Sequence, residues 1–435
     1  MKFDRSIELG RRLHALVPGG AHTYAKGDDQ YPENMAPIIV RGQGCHVWDA
    51  DGNRFIEYGS GLRAVGLGHA FAPVVEAAQR QMALGTNFVR PATIEIEAAE
   101  ALLSFLPHAE MVKFCKDGSD ATSGAIKLAR AYTGRGRVAI CANHPFFSVD
   151  DWFMGASGMP GGVPQSTRDL TVKFNYNDLT SLEALFDQHH GQIAAVILEA
   201  EKEAAPMPGF LDGVRRLCDR HGTVFVLDEM ITGFRWHNGG AQAYHDIRPD
   251  LSTFGKALAN GFSVAALAGR RDLMKLGGSD HDRERVFLLS TTHGAETHGL
   301  AAAISTMKIY REQPVIDTLW ARGERLAAGL KAAAQAAGVA GHVPILGKPC
   351  CLVFGSRDGS GQPSQPFRTL LMQQIIRRGV LATSLVVNYS HSEEDIDRTV
   401  DAFAAAFAVY RRALDEGIDR HLVGRPVKPA IRPYA

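Results

Sequence analysis

The chain has 435 residues, of which 45% are hydrophobic and 22% are charged. This composition is ordinary for a globular protein, and the length exceeds a single core, so we expect two or more domains. The 47 Lys and Arg residues balance the 47 Asp and Glu residues, which argues against a nucleic-acid or anionic-membrane partner. Apolar runs fall short of the roughly 20 residues that a membrane helix needs, and the N-terminus lacks a signal-peptide core.

Cysteine usage argues against a disulfide framework and predicts no metal site. Two of the six cysteines are adjacent, the others are scattered, and none forms a CxxC pair. This spacing is typical of reduced thiols, so we expect a cytoplasmic protein. The cysteines are Cys45, Cys115, Cys141, Cys218, Cys350 and Cys351.

The first predicted elements form a β-meander over residues 38–58, in which Asp51-Gly52 favours a hairpin turn. From about residue 70 to residue 307, apolar strands alternate with helices. This pattern predicts a parallel or mostly parallel sheet with helices on both faces. The strand candidates are 111–115, 138–142, 194–199, 223–228, 265–269 and 286–290, and the helix candidates are 121–133, 181–188 and 211–221.

The last third of the chain has a different pattern. Residues 326–337 are alanine-rich and predict a helix, and 351–354 and 381–387 predict strands around a helix over 367–378. Ser392 and the acidic residues after it predict the start of a long helix toward residue 415. We therefore expect an α/β fold with a large domain over 70–310 and a small α+β domain over 311–435. We expect the N-terminal segment over 1–69 to pack with the small domain.

Lys256 and Asp228 are the candidate catalytic residues. Lys256 lies among small residues in the stretch STFGKALANG, and Asp228 ends the apolar strand candidate VFVLD. A lysine amine can form a Schiff base with the aldehyde of pyridoxal 5'-phosphate (PLP), and a strand-end carboxylate can keep the pyridine nitrogen protonated. The pair predicts PLP as the cofactor; a solvated lysine and a capping carboxylate are the structural alternative.

Two turns are candidates for binding the cofactor phosphate. The first is a strand-to-helix turn that contains Gly118 and Ser119, where helix N–H groups and a hydroxyl could meet an anion. Asp117 argues against this unless its side chain turns away. The second turn contains Thr291 and Thr292. An ordinary capped turn is the alternative in both places.

The ordered motifs of the chain resemble those of the class III aminotransferases of fold-type I, most closely the glutamate-1-semialdehyde aminomutase group. The resemblance covers nearly the whole chain. The motifs are, in order, Pro18-Gly19-Gly20, Val47-Trp48-Asp49-Ala50-Asp51-Gly52-Asn53, Leu67-Gly68-His69, Gly118-Ser119-Asp120-Ala121-Thr122, Leu227-Asp228-Glu229-Met230-Ile231-Thr232-Gly233-Phe234-Arg235, Gly240-Ala241-Gln242, Pro249-Asp250-Leu251 and Phe254-Gly255-Lys256.

The resemblance implies a PLP-transferase fold and a role for each matching residue. Lys256 matches the Schiff-base lysine, and Asp228 matches the partner of the pyridine nitrogen. A homodimer with shared active sites is also implied. The remaining cofactor-binding candidates are Gly118 and Ser119 at the phosphate, Phe146 stacked on the ring, Glu199 beside the cofactor, Thr291 at the phosphate across the dimer interface, and Thr292 next to it.

The departures from the aminomutase pattern concern the substrate. Lys26 aligns with an arginine that binds a substrate carboxylate in that group, and a lysine is a point charge rather than a bidentate fork. Gly61-Leu62-Arg63 replaces Ser-Trp-Gly, so Arg63 is an added cation, and Phe146 replaces the usual tyrosine. Arg63 and Lys26, with Glu201 and His293, are substrate-binding candidates, and ordinary surface groups are the alternative.

These departures predict an aminotransferase that moves an amino group from a small-molecule donor to an aldehyde or ketone acceptor by a ping-pong mechanism. An intramolecular aminomutase of the glutamate-1-semialdehyde type is the main alternative. A racemase, a decarboxylase and a non-catalytic protein of the same fold stay open. The sequence names neither the donor nor the acceptor.

Overall fold

The computed structural model describes residues 1–142, 146–201 and 203–432. The chain divides into two compact units. One unit contains Met1–Phe71 and Asp317–Ala435 and is called the terminal unit below; the other contains Ala72–Ile316 and is called the central unit. No helix among the described residues is long and apolar enough to cross a membrane.

Strands and helices alternate along most of the chain. The strands are β1 (Ile39–Gln43), β2 (His46–Asp49), β3 (Arg54–Glu57), β4 (Met111–Cys115), β5 (Arg137–Cys141), β6 (Thr171–Phe174), β7 (Ile193–Leu198), β8 (Val224–Asp228), β9 (Leu251–Phe254), β10 (Ala265–Gly269), β11 (Ile345–Leu346), β12 (Val353–Phe354) and β13 (Val380–Leu381). The helices are α1 (Asp4–Leu16), α2 (Ser60–Arg63), α3 (Ala72–Met82), α4 (Thr93–Leu103), α5 (Gly118–Thr133), α6 (Asp151–Met154), α7 (Gln165–Arg168), α8 (Leu179–Gln188), α9 (Phe210–His221), α10 (Gly240–Tyr244), α11 (Arg271–Met274), α12 (Thr297–Glu312), α13 (Val315–Ala336), α14 (Gln365–Ile376) and α15 (Glu393–Glu416).

The central unit is built on a mostly parallel sheet, as the alternating pattern predicts. Its strand order is β4-β10-β9-β8-β7-β5-β6, and β10 is antiparallel to both of its neighbours. The strands β5 to β9 pair in parallel. Every residue of β7 and β8 is buried, because helices cover both faces of the sheet.

Alternate residues of the central strands enter two hydrophobic cores. Ile197 and Val226 pack in a core with residues of α5, whereas Val196 and Phe225 pack in a core with residues of α8 and α9. This period-2 division follows from the pleat of the strands. The expectation of an α/β fold with a mostly parallel sheet and helices on both faces is confirmed.

Three details of the strand assignment differ from the sequence-based expectation. The predicted strand over 286–290 is not a strand: buried and exposed side chains alternate there, but Leu289 has φ of 50°, which ends the extended backbone. The strands β6 and β9 were not predicted. Their polar residues hide the apolar pattern, although all of β9 is buried.

The terminal unit contains the predicted meander. Strands β1, β2 and β3 form an antiparallel sheet, and β13, from the C-terminal part of the chain, pairs in parallel with β3. The predicted strand over 381–387 shortens to β13. The long terminal helix begins as predicted, since Ser392 forms a capping box with Asp395 at the start of α15.

Candidate active site

Asp228 is the last residue of β8, at the carboxyl end of the parallel strands, where ligands bind in open α/β sheets. Its side chain is buried. One carboxylate oxygen accepts hydrogen bonds from the Met230 N–H at 2.9 Å and from the Thr253 hydroxyl at 3.1 Å. Burial raises the pKa of Asp228, and the ammonium of Lys256 opposes that rise. This carboxylate is therefore suited to share a proton with a partner.

Lys256 follows β9, the strand beside β8. It opens a short 3-10 helix, Lys256–Ala259, and its φ of 43° places it in the left-handed region. A non-glycine residue held there is strained by roughly 1–3 kcal/mol, a cost that is common at functional sites. Since Thr253 on β9 pairs with Asp228 on β8, the lysine and the carboxylate follow neighbouring strands at the same edge. The structure brings together the two candidate catalytic residues.

The turn that contains Gly118 lies close to the Lys256 turn, because both turns pack against the side chain of Met230. A Cβ atom added at Gly118 would lie 2.9 Å from the Met230 sulfur, and one added at Gly255 would lie 2.7 Å from it. Both glycines therefore allow two backbone turns to approach one side chain, and a larger residue at either position would require Met230 to move. The strand-to-helix turn, the end of β8 and the Lys256 turn converge around Met230.

Asp117 caps α5 in this structure. Its carboxylate accepts hydrogen bonds from the N–H groups of Ser119 at 2.8 Å and Asp120 at 3.0 Å. The Ser119 hydroxyl accepts a hydrogen bond from the Val149 N–H at 3.1 Å. A phosphate that binds the Ser119 N–H must displace the Asp117 carboxylate. The reservation about Asp117 thus has a structural basis: its side chain turns toward the helix end, not away from it.

Glu199 lies at the level of Asp228 in the sheet. Leu198 on β7 pairs with Leu227 on β8, so the next residues, Glu199 and Asp228, lie side by side at the strand ends. Both are buried. The structure therefore places Glu199 next to Asp228 at the strand ends, where the resemblance puts a residue beside the cofactor.

Glu229 is a buried acidic residue that the sequence analysis did not single out. Its carboxylate accepts hydrogen bonds from the N–H groups of Ala241 at 2.8 Å and Gln242 at 2.7 Å, at the start of α10, and from the Thr232 hydroxyl. Burial raises the pKa of Glu229 to about 7. Glu229 ties the segment after Asp228 to α10, so it helps to position the strand end. The Asp-Glu pair at the strand end was the available signal.

Phe146 lies at the edge of the described chain, because residues 143–145 are outside it. Its ring is 45% exposed and packs edge-on against Phe153 at 5.7 Å between centroids. Phe147 is buried, and its carbonyl accepts a hydrogen bond from the Thr122 hydroxyl of α5 at 2.9 Å. The exposed face of Phe146 is open for stacking, while Phe147 belongs to the core.

The segment with Thr291, Thr292 and His293 is exposed. The Asn87 side chain donates a hydrogen bond to the Thr292 carbonyl at 3.0 Å. His293 pairs with Glu296 at 3.1 Å, and Glu296 also pairs with Lys116, directly before the phosphate-turn residues. This chain of charged groups connects the threonine segment with the turn at Gly118.

Glu201 is buried, and its carboxylate accepts a hydrogen bond from Trp236 Nε1 at 3.2 Å and pairs with His245 Nε2 at 3.1 Å. These protein partners favour a structural role over the substrate-binding role that we considered for Glu201. They also rule out the alternative that Glu201 is an ordinary surface group.

Lys26 and Arg63 belong to the terminal unit. Lys26 ends an exposed 3-10 helix, Tyr24–Lys26. Arg63 ends α2, in which all four residues have positive φ, up to 71° at Arg63. Left-handed backbone costs roughly 1–2 kcal/mol per non-glycine residue. The replacement of Ser-Trp-Gly by Gly61-Leu62-Arg63 thus coincides with a strained left-handed turn.

The residues at the strand ends fit PLP. A buried carboxylate with a raised pKa suits the pyridine nitrogen, a lysine amine suits the aldehyde, and a glycine turn at a helix start suits the phosphate once Asp117 moves. Fold and site together define a PLP-dependent enzyme of fold-type I.

Comparison with known proteins identifies the family. The model of the class III aminotransferases matches residues 28–407, so the chain belongs to this family. Curated relatives named glutamate-1-semialdehyde 2,1-aminomutase include one from Desulforamulus reducens, 33% identical over 95% of this chain and 99% of its own length. Another, from Syntrophobacter fumaroxidans, is 32% identical over 94% of this chain and 98% of its own length.

Solved structures give the same fold. A Sphingopyxis protein, FumI, in the PLP internal aldimine form, has a TM-score of 0.87 and 28% identity, over 97% of this chain and 99% of that chain. An omega-transaminase from Sphaerobacter thermophilus has a TM-score of 0.82 and 27% identity, over 93% of this chain and 97% of that chain. The family and the PLP-containing FumI structure confirm PLP as the cofactor of this chain.

Proposed function

We propose that this chain attaches PLP to Lys256 and moves an amino group of a small molecule. The observation that carries the proposal is the pairing of Lys256 with Asp228 at the ends of neighbouring strands, with the Gly118 turn beside them. Bound PLP supplies an electron sink for carbanion chemistry at an amino carbon.

Each residue has a task set by its surroundings. Asp228, buried and held by Met230 and Thr253, keeps the proton on the pyridine nitrogen. Lys256 carries the cofactor and moves protons at the substrate carbon. Ser119 binds the phosphate together with Gly118.

The remaining cofactor candidates have supporting roles in the proposal. Phe146 offers an exposed ring face for stacking, and Glu199 lies beside Asp228 at the cofactor edge. Thr291 and Thr292 are exposed, as residues that serve the phosphate of a partner subunit must be before assembly.

The first candidate reaction is the intramolecular aminomutase, which the sequence analysis ranked second. The names of the curated relatives, at 32–34% identity over 93–95% of this chain, favour it over the aminotransferase. In this reaction one semialdehyde is both the amino acceptor and, after the first half-reaction, the source of the donor.

The second candidate is an aminotransferase with a separate carbonyl acceptor. Specific residues favour it: Lys26 replaces a bidentate arginine, and Arg63 on its strained turn adds a cation. His293, exposed and paired with Glu296, is a further candidate contact for a polar substrate. An omega-transaminase is among the solved relatives at 27% identity.

Covalent attachment is tested by borohydride reduction of the PLP-loaded protein followed by peptide mass spectrometry. We expect PLP on the peptide that contains Lys256, and no attachment in Lys256→Ala. Lys113→Ala is the control, because it removes a different lysine, one whose pKa burial lowers, and it should keep the attachment. Attachment that persists in Lys256→Ala contradicts the proposal.

The two reactions are separated by a half-reaction screen. The pyridoxamine form is mixed with glutamate-1-semialdehyde alone, or with single ketones and aldehydes. A mutase completes turnover with the semialdehyde alone. An aminotransferase stops after one equivalent and resumes when an amino donor is added.

We also propose a homodimer with shared active sites. A cluster of apolar side chains on the central unit is exposed, and Val89 is fully exposed. Exposed patches of this kind mark interaction surfaces. A second copy of the chain is the partner that this family suggests, and light scattering of the PLP-loaded protein tests it. The cluster contains Leu84, Phe88, Val89 and Ile96.

We also propose that the protein is located in a reducing compartment such as the cytoplasm, because its six cysteines are buried free thiols.

A further inference from the structure

A cluster of three potential metal ligands lies in the terminal unit. Cys45 is in the turn between β1 and β2, His46 is the first residue of β2, and Asp395 is in the first turn of α15. The Cys45 side chain is buried, and the side chains of His46 and Asp395 are 15% and 10% exposed. None of the three has a part in the proposed amino-group chemistry.

The donor atoms are spaced like the corners of one coordination shell. Cys45 Sγ is 3.3 Å from Asp395 Oδ2, His46 Nε2 is 3.1 Å from Asp395 Oδ1, and Cys45 Sγ is 4.0 Å from His46 Nε2. With the usual zinc-to-ligand distances, tetrahedral geometry requires separations of about 3.3–3.6 Å between S, N and O donors. The two carboxylate distances are to different oxygens; with one donor atom from each residue, the three atoms lie within 4.8 Å of one another. Side-chain shifts of about 1 Å therefore bring them onto one ion.

The backbone holds the ligands in place. The Cys45 carbonyl accepts a hydrogen bond from the Glu57 N–H of β3 at 2.8 Å, and His46 is paired with both Gln43 and Ile56 in the sheet. The Asp395 carboxylate also accepts a hydrogen bond from the Ser392 N–H at 3.1 Å. Second contacts of this kind orient ligands in metal sites.

Hydrogen bonding alone leaves one contact of His46 unfavourable. Its Nε2 atom is 3.1 Å from the Asp395 carboxylate and 2.9 Å from the Arg54 guanidinium. A protonated Nε2 suits the carboxylate but opposes the N–H of Arg54, and an unprotonated Nε2 suits Arg54 but faces the carboxylate lone pairs. A cation between Nε2, the carboxylate and the thiol removes this conflict if Arg54, which is exposed, turns away.

We propose that Cys45, His46 and Asp395 bind one divalent ion of the Zn²⁺ type, with water in the fourth position. Sulfur, nitrogen and oxygen donors in a tetrahedral arrangement select such a borderline-soft ion over Mg²⁺ or Ca²⁺. Binding replaces the thiol proton of Cys45, which is released to solvent, by the metal. Because binding releases this proton, metal affinity increases with pH.

The Ser392 hydroxyl also donates a hydrogen bond to the Asp395 carboxylate, at 2.7 Å. A carboxylate held in this way is oriented for a metal ion. Arg54 is the positive group that opposes the ion, since its guanidinium contacts His46. Removing it should strengthen metal binding.

The test is titration of the PLP-loaded, untagged, full-length protein with Co²⁺. Tetrahedral Co²⁺ absorbs at the red end of the visible spectrum, away from PLP, and a thiolate ligand adds a charge-transfer band. We expect one equivalent per chain, displaced by Zn²⁺, and tighter binding in Arg54→Ala. Cys45→Ala and His46→Ala should lose the signal. Cys218→Ala, which removes another buried thiol, should keep it.

Three results overturn the proposal. They are the absence of a thiolate-cobalt signal in the wild-type protein, an unchanged signal in Cys45→Ala, and loss of the signal in Cys218→Ala but not in His46→Ala. In any of these cases the three residues form a hydrogen-bonded cluster only. Thermal melts of each variant confirm that it is folded, and PLP absorbance, which the proposal leaves unchanged, confirms that the central unit is intact.

Discussion

Replacement of Asp228 by asparagine separates the role of its charge from the role of its shape. The side chains are nearly isosteric, and the amide oxygen can still accept the hydrogen bonds from Met230 and Thr253 at 2.9 and 3.1 Å. The second oxygen becomes an NH₂ group, which is a donor only. Asp228→Asn therefore keeps the local fold but cannot hold a proton on the pyridine nitrogen.

The magnitude follows from the lost charge-assisted hydrogen bond. Such a bond contributes about 1.5–3 kcal/mol, which corresponds to a decrease in turnover of roughly 10- to 150-fold. The cofactor-free protein should respond in the opposite sense. Burial raises the pKa of Asp228, so its contribution to the free energy of unfolding of the cofactor-free protein falls as pH rises through the raised pKa. Because asparagine does not ionise, the cofactor-free variant should be at least as stable as the wild type.

Two measurements check this reasoning. Steady-state turnover and PLP affinity are compared for wild type, Asp228→Asn and Thr253→Val, and thermal melts are recorded without PLP. Thr253→Val removes one hydroxyl donor and should cost about 1 kcal/mol, or roughly fivefold in rate. Near wild-type turnover in Asp228→Asn, or destabilisation of its cofactor-free form by several kcal/mol, refutes the assigned role.

Three further outcomes are expected from the site. Arg63→Gly should stabilise the protein by about 1 kcal/mol in urea unfolding, because glycine adopts a φ of 71° without strain, whereas Arg63→Ala should not. If the guanidinium binds substrate, both variants should raise KM in steady-state kinetics. Burial raises the pKa of Glu229 to about 7, so roughly 3 kcal/mol of stability is lost as pH rises from about 4.5 through 7. Glu229→Gln should flatten that pH dependence, which urea unfolding at pH 5 and 8 measures. Asp117→Asn keeps the cap of α5 but removes a negative charge beside the expected phosphate position, so PLP should bind about 5- to 10-fold tighter. Equilibrium dialysis measures this affinity, and Asp120→Asn is the control.

The regular part of the fold was predictable because its pattern is local. The strands β7 and β8 are continuous apolar runs, and both were recognised. The strand β9 was not, because Ser252 and Thr253 interrupt its apolar pattern even though both are buried. Their hydroxyls donate hydrogen bonds to Gln242 of α10 and to Asp228 of β8, and sequence windows do not contain such distant partners.

The candidate site was predictable to the level of residue type. Lys256 and Asp228 were chosen from their local contexts, and the structure places them after neighbouring strands. The capping of α5 by Asp117 was the alternative that the sequence left open for this turn, and the network around Glu229 was not predicted. That network depends on side-chain directions that several elements impose together.

By itself the sequence determined the fold class, the cofactor and the lysine and aspartate that we assign to it, because each follows from the order of motifs and from the periodicity along one strand or helix. Tertiary structure decided which groups meet. Met230 joins the Gly118 and Gly255 turns, and Asp395 meets Cys45 across 350 residues of chain. Such contacts arise from packing of distant segments, and no local spacing encodes them.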